Sequence, residues 1–128
     1  MDLGIVRADA RSAPFFEAAA RDVLLIKRCG PCGRWLGPEA TGCPGCGEAD
    51  LRWEVASGGG TVISFAVPSV RGAEGVEPAV LALVELDEGP WLHTRLAADP
   101  AAAVVGMAVV ARFEHPAEGE SYPLFWPA

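Results

Sequence analysis

The chain has 128 residues, is 51% hydrophobic and carries a formal net charge of -7. That suits one domain of ordinary size or two small modules, and the acidic balance disfavours nucleic-acid phosphates as partners. No apolar run approaches the roughly 20 residues of a membrane-crossing helix; the longest, Ala79 to Val84, is strand-sized, and 15 glycines and 11 prolines predict many turns and little long helix.

Residues 1–11 read as an irregular lead-in. Met1 to Val6 is too short and too polar for the apolar core of a secretory signal, so a soluble, cytoplasmic protein is expected. A short helix follows, with Ser12 as N-cap, Pro14 in the first turn and Glu17 near its positive end. Phe15, Phe16, Ala19 and Ala20 would form its apolar stripe. A helix this short must pack on something, so the stripe faces either the core or a docking partner. Val23 to Lys27 reads as a strand.

Next come two cysteine pairs, Cys29-Gly-Pro-Cys32 and Cys43-Pro-Gly-Cys46, separated by ten residues. Four thiolates at this spacing can close a tetrahedral metal shell. The glycines that follow, Gly33 and Gly47, allow the sharp turns that bring amide N–H groups toward sulfur. Structural zinc is expected at Cys29, Cys32, Cys43 and Cys46, with iron as the alternative because Cys-Pro-Gly-Cys-Gly is rubredoxin-like. Two disulfides would need an oxidising compartment, and a thioredoxin-like redox pair would need a βαβ context that the sequence lacks. A closed four-thiolate shell leaves no position for activating water, so the metal is expected to hold structure.

Around the pairs, Lys27, Arg28, Arg34 and Arg52 read as ordinary solvated charge, with a local basic face as the alternative. Trp35, between the knuckles, either covers the metal or anchors a partner. From residue 51 the pattern turns to strands. Leu51, Trp53 and Val55 alternate with polar residues. Gly58-Gly59-Gly60 marks a break or bulge, and Thr61 to Val67 continues the strand. Pro68 to Pro78 reads as a loop. Ala79 to Leu86 should be a buried strand, Asp87-Glu88-Gly89-Pro90 a hairpin turn, and Trp91 to Ala97 a strand with Leu92 and Leu96 on one face and Trp91, His93 and Arg95 on the other. Asp99 caps a turn or two of helix that starts at Pro100 and stops at Gly106. Met107 to Phe113 and Tyr122 to Trp126 are the last strands. Three strands, a short helix and two strands is the element order of an OB-fold barrel, with a β-sandwich as the alternative. The expected architecture is mostly β: an N-terminal helix and lead-in strand (1–27), a four-cysteine zinc ribbon (28–50) and a five-stranded OB-fold barrel (51–128).

Little in the chain suits catalysis. All four cysteines are committed to metal. The serines lack a nucleophile-elbow context, and His93 and His115 are the only histidines. His93 beside Arg95 reads as a half-buried structural pair, and His115 as a solvated turn residue. Glu85, Asp87 and Glu88 read as a solubilising rim. Gly58 to Gly60 precedes a strand, so it lacks the helix N-terminus that binds phosphate.

Over nearly its whole length the chain resembles the acyl-CoA-associated OB-fold proteins with an N-terminal rubredoxin-like zinc ribbon, long grouped as a domain of unknown function that accompanies thiolases. The stretches that carry the resemblance are Phe15-Phe16-Glu17-Ala18, Arg28 to Gly33, Pro38, Cys43 to Gly47, Gly58 to Phe65, Ala82 to Gly89, Gly106 to Val109 and Leu124 to Pro127. One departure is the all-glycine run 58–60, where the family often has Gly-Arg-Gly. The resemblance implies a non-catalytic accessory subunit that completes a thiolase-superfamily acyl-CoA enzyme. In bacterial steroid degradation the enzyme served is a retro-aldolase. It also implies a partner dimer flanked by two copies, and in some cases a MaoC-like hydratase beside or fused to the domain. Phe15, Phe16, Trp35 and Trp91 are the expected partner-binding residues. The alternatives are an independent acyl-CoA enzyme and a single-stranded nucleic-acid binder.

Overall fold

The computed structural model describes residues 5–72 and 75–128. One helix, α1 (Ala13–Ala19), precedes ten strands: β1 (Leu25–Cys29), β2 (Trp35–Leu36), β3 (Leu51–Val55), β4 (Gly59–Ala66), β5 (Ser69–Gly72), β6 (Gly75–Pro78), β7 (Val80–Leu86), β8 (Trp91–Leu96), β9 (Ala108–Glu114) and β10 (Tyr122–Pro127). A 3-10 turn at Pro100–Ala102 lies between β8 and β9, and the Asp99 carboxylate accepts the Ala101 N–H at 2.9 Å, as the sequence predicts. The strands form a three-stranded sheet in the order β2-β1-β3, a closed barrel in the order β10-β8-β7-β4-β9, and a separate β5-β6 hairpin. The mostly β, five-stranded OB-fold barrel after a cysteine ribbon is therefore present.

Strand pairing departs from the sequence reading in two places. Leu51–Val55 pairs along its whole length with β1, Cys29 opposite Leu51 and Leu25 opposite Val55. It closes the ribbon sheet and does not enter the barrel, so this sheet runs across both expected boundaries, at 27/28 and at 50/51. Period-two alternation identifies a strand but not its partner. The segment expected to be a loop, Pro68 to Pro78, contains the β5-β6 hairpin, with Val70 opposite Glu77 and Arg71 opposite Val76. Among the described residues these strands pair only with each other.

The glycine run marks the break between β3 and β4, with Gly58 at φ 90°, and not the bulge. The register shifts between Val62 and Ser64, against β7. Glycine is required at 60 by close approach, because a Cβ there would lie 2.6 Å from Val84 Cγ1 and 2.7 Å from the Glu85 carbonyl oxygen.

The main core joins Val62, Val80, Ala82, Val84, Leu86, Leu96, Val109 and Phe125 of the barrel with Leu24 and Ile26 at the start of the ribbon sheet. β1 therefore begins in the barrel core and ends at Cys29, in a second small cluster with Leu36 and Cys43. β7 alternates buried and outward residues, so it is not buried throughout: Val80, Ala82, Val84 and Leu86 point in, while Leu81 remains 44% exposed. β10 is covered on both faces. Phe125, on the face opposite Tyr122 and Leu124, is fully buried in the barrel core, and Tyr122 and Leu124 are buried as well.

α1 lies against β1 and β10. Its buried residues are Ala18 and Ala19, whereas Ala20, assigned to the stripe from sequence, is exposed. Ser12 stands at the N-cap position but its side chain caps nothing in the helix. The cap lies one turn earlier. Asp9 Oδ1 accepts the N–H groups of Arg11 (3.0 Å) and Ser12 (2.8 Å), and the Ser12 hydroxyl accepts the Asp9 N–H at 3.0 Å. This is the reciprocal pattern of a capping box.

Candidate metal centre and partner surface

Both knuckles fold alike. Gly33 N–H donates to the Cys29 carbonyl and Gly47 N–H to the Cys43 carbonyl, at 2.9 and 2.8 Å. Gly33 and Gly47 have φ of 77° and 79°, which a side chain would resist. β1 delivers Cys29, its turn Cys32, and the second loop Cys43 and Cys46. The sulfurs of Cys29 and Cys46 are 3.5 Å apart, those of Cys32 and Cys43 3.6 Å, and all four lie within 4.8 Å of one another. These are non-bonded spacings, and all four thiols are free. They approach the about 3.8 Å edge of a tetrahedron with metal–sulfur bonds of about 2.3 Å, so the donor set fits a closed four-thiolate metal shell.

The electrostatics point the same way. The N–H of Cys46, with that of Gly45, donates to the Cys43 sulfur and lowers its pKa to about 7. At Cys29 the Cys32 N–H also favours the thiolate, but burial and the three neighbouring sulfurs outweigh it and push the pKa up to about 12. Cys46 is likewise raised, although the Glu48 N–H and Cys29 favour its charged form. Four sulfurs this close cannot all be anionic without a cation among them, and a divalent metal supplies that charge.

The basic residues of the ribbon are not merely solvated. Lys27 Nζ sits 4.8 Å from the Trp53 ring and donates to the Ala40 carbonyl at 2.7 Å. The Arg28 guanidinium lies 4.7 Å from the Trp35 ring, and its Nε donates to the Gly33 carbonyl. Trp35 packs against the main apolar cluster, while Ala40 and Leu51 cover the cysteine cluster.

The four expected partner-binding residues fall in two places. Phe15 and Phe16 make an edge-to-face pair, centroids 5.2 Å apart, and line a cavity of about 350 Å³ with Lys27 and Trp53. Trp35 and Trp91 line a different cleft, of about 480 Å³, between the ribbon and the β7–β8 turn. Trp91 is 56% exposed, and its indole N–H donates to Glu85 at 3.3 Å. A broader hollow of about 600 Å³ lies on the outer face of β4, β7 and β8, where Leu81, Leu83, His93 and Arg95 meet. His93 is exposed here, across from Leu83.

Sequence reasoning missed two joints between the halves. The turn acids do more than keep a rim soluble. Asp87 accepts the Ser57 hydroxyl at 3.0 Å and Glu88 the Ser57 N–H at 2.8 Å, pinning the segment between β3 and β4. On another side, His115 bonds Ser121 through Nδ1 and Asp22 through Nε2, each at 2.8 Å. Asp22 has φ of 59°, the only non-glycine residue with positive φ among those described. The sequence carries no signal for contacts spanning 30 or 93 residues.

Comparison with known proteins gives a consistent family. Residues 16–52 match the rubredoxin-like zinc ribbon domain of ChsH2, and residues 53–114 its C-terminal OB-fold domain. The solved Ltp2-ChsH2(DUF35) aldolase contains a chain 35% identical to this one, at a TM-score of 0.80, with 94% of this chain and 96% of that one covered. A protein of unknown function from the DUF35 family of Sulfolobus solfataricus is 16% identical with a TM-score of 0.64, covering 94% and 87% of the two chains, and shares the fold. A probable enoyl-CoA hydratase alpha subunit of Thermomonospora curvata is 37% identical over 119 residues. The match takes in 91% of this chain but spans only 37% of the length of that relative.

Proposed function

Since this chain belongs to the ChsH2 family of zinc-ribbon and OB-fold proteins (the DUF35 family), we propose that it is a non-catalytic accessory subunit that completes a thiolase-like acyl-CoA enzyme. The observation that carries this reading is the near full-length match to the ChsH2 chain of an aldolase. The finer reading follows from it: the enzyme served is a carbon–carbon lyase that shortens an acyl-CoA side chain by a retro-aldol step, its substrates being steroid or lipid side chains, in the cytoplasm. The partner is a dimer flanked by two copies of this chain. The hydratase relative supports a second association, with a MaoC-like hydratase beside or fused to the domain.

Cys29, Cys32, Cys43 and Cys46 would hold zinc. Bound there, the ion supplies charge neutralisation and cross-linking of the two knuckles, with no coordination position left for substrate. The chain's own residues do the rest. β1 ties the knuckles to the barrel core, the Ser57 and His115 joints fix the two halves, and the Trp35–Trp91 side meets the partner. Metal loss therefore acts through folding.

The test is co-expression with the thiolase-like enzyme of the same source. Native mass spectrometry should give two copies of each chain, and the complex should release a shortened acyl-CoA while the isolated chain turns over nothing. Turnover by the purified chain alone, or no association with any thiolase-like enzyme, would sink the reading.

A further inference from the structure

The cavity of about 350 Å³ between α1 and the ribbon sheet has the make-up of a ligand pocket, apolar walls around a few polar groups. Phe15 and Phe16 come from α1, Lys27 from β1 and Trp53 from β3. Phe15 leans on the main core, whereas Phe16 and Trp53 pack against neither buried cluster, although both are half-buried. Their rings therefore keep apolar surface that the fold itself does not use.

Lys27 supplies the charge. The residue is half-buried, and its Nζ lies 4.8 Å from the Trp53 ring centroid. Nζ donates to the Ala40 carbonyl at 2.7 Å and has further N–H groups to give. It takes part in none of the ion pairs among the described residues. The acids on the cavity wall are turned to other work. Asp9 Oδ1 accepts the N–H groups of Arg11 and Ser12 and the Ser12 hydroxyl. Glu39 folds its carboxylate over Gly37, where an added Cβ would lie 2.7 Å from Oε1. The cavity thus offers aromatic walls and a half-buried ammonium that no carboxylate of the chain neutralises.

We propose that this cavity binds a small aromatic carboxylate, its ring held among Phe15, Phe16 and Trp53 and its carboxylate on Lys27. Aromatic walls favour a ring that can stack or meet them edge to face. A carboxylate brings the charge that Lys27 lacks, through a charge-assisted hydrogen bond in partly dry surroundings. An inorganic anion would leave the aromatic walls unused, and a neutral ring would leave the ammonium without a counter-charge. Because the walls come from α1, β1 and β3, occupancy would tie the helix to the ribbon sheet. The pocket does not depend on the accessory reading and can fail without it.

Two measurements test the pocket. In the first, naphthoate is titrated into the metal-loaded protein, with naphthamide, its neutral isostere, as control. Nuclear magnetic resonance follows the indole N–H signals of Trp53 and of Trp91, which lies outside the cavity. Saturable shifts of Trp53 with naphthoate, about tenfold weaker binding of naphthamide and an unmoved Trp91 are expected. Shifts that never saturate, equal binding of the two probes, or shifts centred on Trp91 would overturn the pocket. In the second, naphthoate affinity is compared among wild type, Lys27→Gln and Phe16→Ala. The amide introduced by Lys27→Gln can still donate toward Ala40, and Phe16 lies outside both buried clusters, so both variants should keep the barrel amide signals of the folded chain. Each should weaken naphthoate about tenfold, and Lys27→Gln should also erase the preference for naphthoate over naphthamide. Wild-type affinity in either variant would defeat the pocket and leave the accessory role standing.

Discussion

In the ribbon the buried cluster is Cys29, Leu36 and Cys43, with Ala40 and Leu51 against it; in the barrel a contiguous set running from Val62 to Phe125 is almost wholly withdrawn from water. The ribbon has two short-range knuckles and too little apolar surface to order them without a central ion. The barrel is closed, so it has no free sheet edge and its strands satisfy one another. The donor set of one half fits a cation, the other half is held by burial, and β1 belongs to both. The two should therefore fail under different insults.

Removing the ion is the largest of these. Chelation, or Cys43→Ser, should unfold residues 28 to 50, because structural zinc in small fingers is worth roughly 10–16 kcal/mol of apparent binding energy. Amide signals of β4, β7 and β8 should persist in the spectrum while the knuckle signals collapse, and the partner should no longer bind. Simultaneous loss of both sets would show that β1 transmits the damage and that the halves fold as one unit.

A core deletion strikes the opposite side. Phe125→Ala empties a fully buried site in the barrel and should cost about 3–5 kcal/mol, lowering Tm by about 10–20 °C. Metal stoichiometry measured below the new Tm should stay at one ion per chain. An equal loss of metal would mean that the ribbon borrows its order from the barrel.

What could be read from sequence follows the same division. The cysteine spacing is a local signal, so the four donors, both glycine turns and the ribbon itself were legible. Period-two alternation made the barrel strands legible, and the Asp99-Pro100 cap located the 3-10 turn. The rest depends on long-range pairing. Nothing in Leu51–Val55 says that its neighbour is β1, since its alternation fits either sheet. The β5-β6 hairpin looked like a loop because its glycines and prolines outweigh its few apolar residues. Phe125 was hidden because β10 is covered on both faces, which erases alternation. Ser57 with Asp87 and Glu88, and His115 with Asp22, are ordinary turn residues until the fold brings them together. The sequence named Trp35 and Trp91 separately, and only the structure places them across one cleft.

The joint between the halves offers a milder perturbation. Ser57→Ala removes the hydroxyl that donates to Asp87 and accepts the Gly59 N–H, a loss of about 1 kcal/mol. Neither core is touched, so Tm should move little while hydrogen exchange at 57 to 59 quickens. Residual dipolar couplings should then show the ribbon and barrel reorienting. Unchanged exchange and orientation would assign the joint to the shared core around Leu24 and Ile26 alone.

The smallest effect lies at the N-terminal turn and depends on pH. The Ser12 N–H, above all, and then the Ser12 hydroxyl and Arg11 hold the Asp9 carboxyl below its ordinary value of 3.8. A depressed folded pKa means that the unfolded chain takes up the proton first. The stabilisation is thus complete above the ordinary value and fades as pH falls through the lower, folded one. Asp9→Ala should be less stable than wild type by a constant amount above about pH 5, and the difference should shrink as acid protonates the wild-type carboxyl. Urea melts at several pH values, read near α1, measure this directly. Because the charge sits at the start of a short helix lying against β1 and β10, a difference that grew toward acid would mean that the carboxyl repels its surroundings and that α1 is held by packing alone.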